Sequence, residues 1–141
     1  MACYLDTSAL VALCVKEGKS ERVLHWYAHY PDPLISSIWC VTEFASAMGI
    51  KQRTGQVTGP QAQVAWQRFV RLYDNDLTLL PAEPRVFHQA ASMTLHAASG
   101  LRSGDALHLA TALDAQASHL LTLDQVFARN AQACGIELIT L

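Results

Sequence analysis

The sequence predicts an α/β fold, a three-layer α/β/α sandwich around a central, mostly parallel five-stranded sheet. Three observations predict it. Short apolar runs alternate with longer segments of helical periodicity, the pattern of a parallel sheet covered by helices on both faces. The 141 residues match one ordinary domain, so 1–141 is read as a single unit. A hydrophobic fraction of 51% with only 16% charged residues supplies one sizeable core and excludes a disordered chain.

The elements follow in order. The run Ala2–Leu5 reads as the first strand, and the helical pattern after it spans Ser8 to Glu17 and stops at Gly18. A second helix covers Lys19 to Tyr30, before Pro31 and Pro33. Leu34–Ser37 is the next strand, followed by a helix that carries Glu43 and ends near Gly55. Thr58, Gly59 and Pro60 open a helix running to Tyr73, with the proline in the first turn where its missing N–H costs little. Leu77–Leu80 reads as a strand, then come helices over Pro84–Ala98 and Ser103–Ala117, separated at Ser99 and Gly100. His119–Leu123 is the fourth strand, Gln125–Cys134 the last helix and Ile136–Thr140 the closing strand.

Composition narrows the function. A net charge of −2 excludes a protein that grips nucleic acid by bulk positive charge, so any basic patch is local, the best candidate being Lys51, Arg53, Arg68 and Arg71. Cys3, Cys14, Cys40 and Cys134 form no C-x-x-C pair, which argues against a zinc or redox motif and for buried, reduced thiols. The apolar start MACYLDTSALVALCV is interrupted by Asp6 and framed by no basic region or cleavage site, and no run approaches the roughly 20 apolar residues of a membrane helix. A soluble cytoplasmic protein is expected.

Four carboxylates stand out. Asp6 ends the first strand and Asp124 ends the fourth, where open α/β sheets bind ligands; each also precedes a helix and could simply be its N-cap. Glu43 falls on a stripe with Trp39, Ala47 and Ile50, away from Thr42 and Ser46, so it needs a proton, a base or a metal as partner. Asp105 lies in a first helical turn beside Leu109, Ala112 and Leu113, with Ser103 as the expected cap; Asp114, on the opposite face, is expected to be solvated and silent. If these acids converge, their repulsion calls for a cation, and oxygen-only ligands suit Mg²⁺ or Mn²⁺. Phosphodiester hydrolysis is the chemistry that uses such a cluster.

Other constellations are weaker. His25 and His29 are one turn apart without the glutamate of a zincin motif, His108 sits one turn from Asp105 and could hydrogen-bond it, and Trp66, Phe69 and Leu72 share a helical stripe read as core. No G-x-S-x-G, G-x-G-x-x-G or Walker pattern occurs. The chain also lacks the acidic pair and late lysine of a receiver domain, and Ser8 stands where a haloacid-dehalogenase-like phosphatase needs a second Asp.

The segments YLDTSALVAL, TEFASAM, GDALHLATAL and LLTLDQVFARNA, in this order and spacing, resemble the PIN domain, and most closely the VapC-type toxins of type II toxin–antitoxin pairs. The resemblance implies a PIN-like sandwich with the first and fourth strands adjacent. It implies a four-carboxylate site for Mg²⁺ (or Mn²⁺) at Asp6, Glu43, Asp105 and Asp124, with Thr7 and Thr122 orienting water or a carboxylate, and His108 is kept as a further supporting residue. It also implies an RNA substrate, a homodimer and a VapB-like antitoxin that occupies the groove. Two other readings stay open, a PIN-fold RNA-processing nuclease outside any such pair and a catalytically silent binding module. The stretch Thr54–Leu80 matches no family pattern.

Overall fold

A computed structural model describes residues 2–141. Its chain runs β1 (Cys3–Leu5), α1 (Thr7–Cys14), α2 (Ser20–His29), β2 (Leu34–Ser37), α3 (Trp39–Arg53), α4 (Gly59–Asn75), β3 (Leu77–Leu80), α5 (Pro84–Leu95), a 3₁₀ turn (Ala97–Ser99), α6 (Ser103–Asp114), β4 (His119–Leu121), α7 (Gln125–Ala133) and β5 (Glu137–Leu138). The five strands form one sheet in the order β3-β2-β1-β4-β5. Every pairing is parallel, so the sheet is wholly rather than mostly parallel.

The chain winds outward from β1 through β2 to β3, then returns to β4 on the other side of β1. Helices that follow two neighbouring strands in opposite directions leave a crevice between β1 and β4 at their carboxyl ends. Tyr4 pairs in register with Leu120 and Leu5 with Leu121, which sets Asp6 and the segment leading to Asp124 side by side.

Alternation along the strands divides the core between the two faces. Cys3, Leu5, Leu34 and Leu121 pack with Leu10, Phe44, Met48 and Phe69 on one side, whereas Tyr4, Ile35 and Leu120 pack with Val86, Leu109, Phe127 and Ala131 on the other. Phe44 and Phe69 stack with ring centroids 4.3 Å apart, and Trp66 meets Phe69 edge-on at 5.6 Å. Trp66, Phe69 and Leu72 are therefore packing residues, as their spacing implies.

Several boundaries differ from the sequence reading, each for a local reason. Helix α1 ends at Cys14 because Val15 is extended and Ser20 takes over the turn, donating from Oγ to the Val15 carbonyl and accepting from the Glu17 N–H. Helix α5 stops at Leu95, where Ser99 Oγ reaches back to the Met93 carbonyl and Gly100 turns with φ +69°. Helix α6 stops at Asp114 because Gln116 adopts φ +55°. Strand β4 ends two residues early, at Leu121, because Thr122 turns its hydroxyl onto Asp6. Two burial expectations also fail: Cys134, just past α7, is exposed, and Ile50 is 48% exposed, so the buried stripe of α3 is Cys40, Phe44 and Met48 with Glu43 at its edge.

Candidate active site

The crevice is built first by two helix caps. Asp6, only 3% exposed, is the N-cap of α1: Oδ1 accepts from the Ala9 N–H at 3.1 Å and the Ser8 hydroxyl at 2.6 Å, while Oδ2 accepts from the Thr122 hydroxyl. Asp124 is the N-cap of α7, its Oδ1 accepting from the Phe127 N–H at 2.9 Å. The capping explanation for both residues is thus correct, and it coexists with their placement at the strand ends. Thr122 couples them, donating to Asp6 while its Oγ1 accepts from the Asp124 N–H at 3.1 Å. Ser8 adds a second tie, accepting from the Leu123 N–H at 2.9 Å.

Glu43 reaches the crevice from α3. Its Oε1 accepts the Thr7 hydroxyl at 2.6 Å and pairs with His108 Nε2. Burial pushes this carboxyl up, but the bond and charge of His108 and the bond from Thr7 outweigh it and hold the acid below the ordinary glutamate range. Oε2 faces Gly104 so closely that a Cβ there would lie 2.5 Å from it. The Trp39 indole N–H, buried and without a hydrogen-bond partner, lies on the same side, 3.3 Å from that Cβ position.

Asp105 sits next to Gly104 in the first turn of α6, half-buried. Its carboxyl is pushed up to about 6, by burial first and then by the charges of Asp124, Asp6 and Glu43, with His108 opposing. Asp6 is raised too, chiefly by burial. The four acids thus share one electrostatic field. Helix α6 is not capped by Ser103; Arg102 holds the N-cap position without a side-chain bond, and Ser103 is the first helical residue. Asp114 is exposed on the far face and pairs with Arg85, rather than standing alone in solvent.

The donor set fits a hard divalent cation in kind: carboxylate oxygens, in a field that raises Asp105. Among the described residues, no three potential ligand side chains stand close enough to hold a metal as they are. The expected basic patch is partly spent inside the molecule, since Lys51 pairs with Glu17 and Arg68 donates to the Cys14 carbonyl at 3.1 Å. His25 and His29 lie on an exposed stretch of α2 with ring centroids 4.4 Å apart and gain no third ligand. Tyr4, Ser8 and Gly104 were not singled out from sequence. A signal existed for two of them: a tyrosine in a buried strand must place its hydroxyl, and a glycine in a first helical turn is there at a cost in stability.

The PIN domain family model matches residues 3–133. Ribonuclease VapC46 of Mycobacterium tuberculosis is 31% identical over 140 residues, which are 98% of this chain and 96% of that protein. The crystal structure of VapC20 from the same organism, a sarcin-ricin-loop-cleaving toxin, superposes with a TM-score of 0.73 at 16% identity, covering 91% of this chain and 94% of that one. VapBC2 from Rickettsia felis, bound to a DNA fragment from its promoter, gives a TM-score of 0.65 at 17% identity, covering 99% and 98%. With a family model spanning almost its whole length and a ribonuclease relative aligned from end to end, the chain belongs to the PIN-domain family and is a VapC-type member of it.

Proposed function

We propose that this chain is a divalent-metal-dependent endoribonuclease, the toxin of a toxin–antitoxin pair, with 1–141 working as one nuclease domain. The observation that carries the reading is the elevation of Asp105 to about 6, by burial first and then by the charges of Asp124, Asp6 and Glu43, because a cleft of four carboxylates repels an RNA phosphate unless a cation lies between them. Similarity to Ribonuclease VapC46 supports RNA as the substrate.

Asp6, Asp105, Asp124 and Glu43 would hold Mg²⁺ or Mn²⁺, with Asp6 as the fixed wall and Asp105 as the acid with most to gain. A cation bound there supplies water activation and stabilisation of charge developing on the phosphate. Thr122 keeps Asp6 and Asp124 in fixed relation, and Thr7 and His108 fix Glu43. The absence of a side chain at Gly104 leaves room for Glu43 Oε2. The VapBC2 assembly, a fold neighbour, supports a VapB-like antitoxin as inhibitor, and VapC kinship supports a homodimer. No described helix is long and apolar enough to cross a membrane, and we place the activity in the cytoplasm.

The test is cleavage of a total cellular RNA pool with Mg²⁺, Mn²⁺ or EDTA by the protein, Asp6→Asn and Asp114→Ala. Discrete cuts that need metal are expected. Asparagine keeps an oxygen for the α1 cap, so Asp6→Asn should stay folded yet lose more activity than the roughly 10–100-fold attached to supporting residues. Asp114→Ala should cleave normally. Equal cleavage by the protein and Asp6→Asn would remove the proposed site, and absence of cleavage by all three would favour a binding module.

A further inference from the structure

We propose that His25 and His29 form a second cation site, on helix α2 and apart from the four acids, which takes a transition ion of the Ni²⁺, Cu²⁺ and Zn²⁺ class through two imidazoles. The proposal goes beyond the nuclease reading and does not depend on it.

Spacing is the first observation. Residues four apart on a helix stand one above the other on the same face, so His25 and His29 share one side of α2. Their ring centroids are 4.4 Å apart. With metal–nitrogen bonds of about 2.0–2.1 Å, two imidazoles in neighbouring positions around one ion place their ring centres at about that separation. Neither ring is consumed by the fold: both residues are exposed, and among the described residues neither forms an ion pair.

The second observation fixes which nitrogen is free. His29 Nδ1 lies 2.8 Å from the His25 carbonyl oxygen. A carbonyl only accepts, so the proton of that bond belongs to Nδ1, and the neutral ring keeps its lone pair on Nε2. A ring N–H given to a backbone carbonyl is the contact that sets the tautomer and orientation of metal-ligating histidines and raises their basicity. Here the carbonyl belongs to the other histidine of the pair, so one bond both orients the ligand and ties it to its partner residue.

The surroundings suit such an ion. Both histidines line a groove of about 670 Å³ that also holds Trp26, Arg22 and Glu21, the last one turn further back on the same helical face. Glu21 adds negative charge beside the imidazoles, against the positive charge of Arg22. Among the described residues no third ligand side chain stands close enough to complete the set, so the remaining positions fall to water. Imidazole nitrogen favours nickel, copper and zinc, whereas magnesium takes oxygen; the two sites therefore sort cations by ligand chemistry. An ion held by both rings also clamps one turn of α2, a helix whose N-cap, Lys19, makes no side-chain bond.

The test titrates Ni²⁺ into the full chain in excess Mg²⁺, read by calorimetry and by the backbone amide spectrum. Amide signals around His25 and His29 should shift or broaden first. His25→Gln and His29→Gln, at exposed positions, should each weaken Ni²⁺ binding by more than the roughly tenfold that loss of a supporting partner costs a metal site. Cys134→Ser, which removes the exposed thiol, and Asp6→Asn should bind Ni²⁺ as the unchanged protein does. Ni²⁺ should raise the melting temperature of the unchanged protein but not of His29→Gln. Absence of binding by the unchanged protein, undiminished binding by either histidine variant, or first changes at the strand ends instead of α2 would each overturn the proposal. None of these results bears on RNA cleavage by the acids, so the nuclease reading stands or falls by its own test.

Discussion

Glu43 and Gly104 show what a single residue contributes at this site. Because Oε1 of Glu43 is tied to Thr7 and His108, the side chain cannot swing aside without breaking those bonds, and a methyl group at position 104 would sit 2.5 Å from Oε2. Gly104→Ala should therefore lower RNA cleavage by about tenfold or more, in the range for disturbed supporting residues. Alanine is also the better helix former by up to ~1 kcal/mol, which offsets part of the cost of displacing Glu43, so the melting temperature should change little while activity falls. A loss of both together would mean that the helix, not Glu43, had been disturbed. The acids themselves were legible in the sequence because burying a carboxylate is costly and Asp after an apolar run is conspicuous. Tyr4, whose hydroxyl meets His108, and Gly104 were not, since their roles depend on residues about a hundred and about sixty positions away, a pairing no local pattern encodes.

Elements were legible where periodicity and capping agree. Helix α4 is such a case: Thr58 Oγ1 accepts from the Gln61 N–H at 3.2 Å, the Gln61 side chain accepts from the Thr58 N–H at 2.8 Å, and Pro60 lies in the first turn. Ala62, Ala65, Phe69 and Leu72 then bury one face against α1 and α3. Thr58→Ala should cost about 1 kcal/mol and lower the melting temperature by about 2–4 °C. Its cleavage rate should match that of the unchanged protein, measured below both melting points, because α4 supplies none of the proposed site. Helix ends without such caps were misread. Helices α1 and α6 were overextended because Val15, a β-branched residue in an extended conformation, and Gln116, at positive φ, end them through backbone geometry that composition does not announce.

For the whole molecule, the four acids make stability depend on pH and, on the proposed reading, on metal. Asp105 has a carboxyl near 6 when folded against about 3.9 in an unfolded chain, so between those values the folded state binds the extra proton. Stability from this group rises as pH falls through about 6 and is fully gained near 4; it is lost again as pH climbs. The difference in melting temperature between Asp105→Asn and the unchanged protein, without metal, should favour the variant at pH 7.5 and shrink toward zero near pH 4. Saturating Mg²⁺ should raise the melting temperature of the unchanged protein more than that of the variant. A difference independent of pH would show that Asp105 does not feel the other acids. The three-layer architecture behind this field was legible from alternation of strand and helix, whereas the convergence of Asp105 with Asp6 is a property of the assembled fold.

Asp6 and Asp124 each cap a helix with the carboxylate that the proposed site would also use. On the proposed reading, selection for folding and selection for chemistry therefore act on one side chain. A lineage released from the need to cut RNA would still be under pressure to keep an acceptor at both positions, and its drift should run through Asn or Ser rather than Ala. A polar residue surviving at either position is then no testimony to activity; Asp105, which caps nothing, is the position where relaxed selection would leave its first mark.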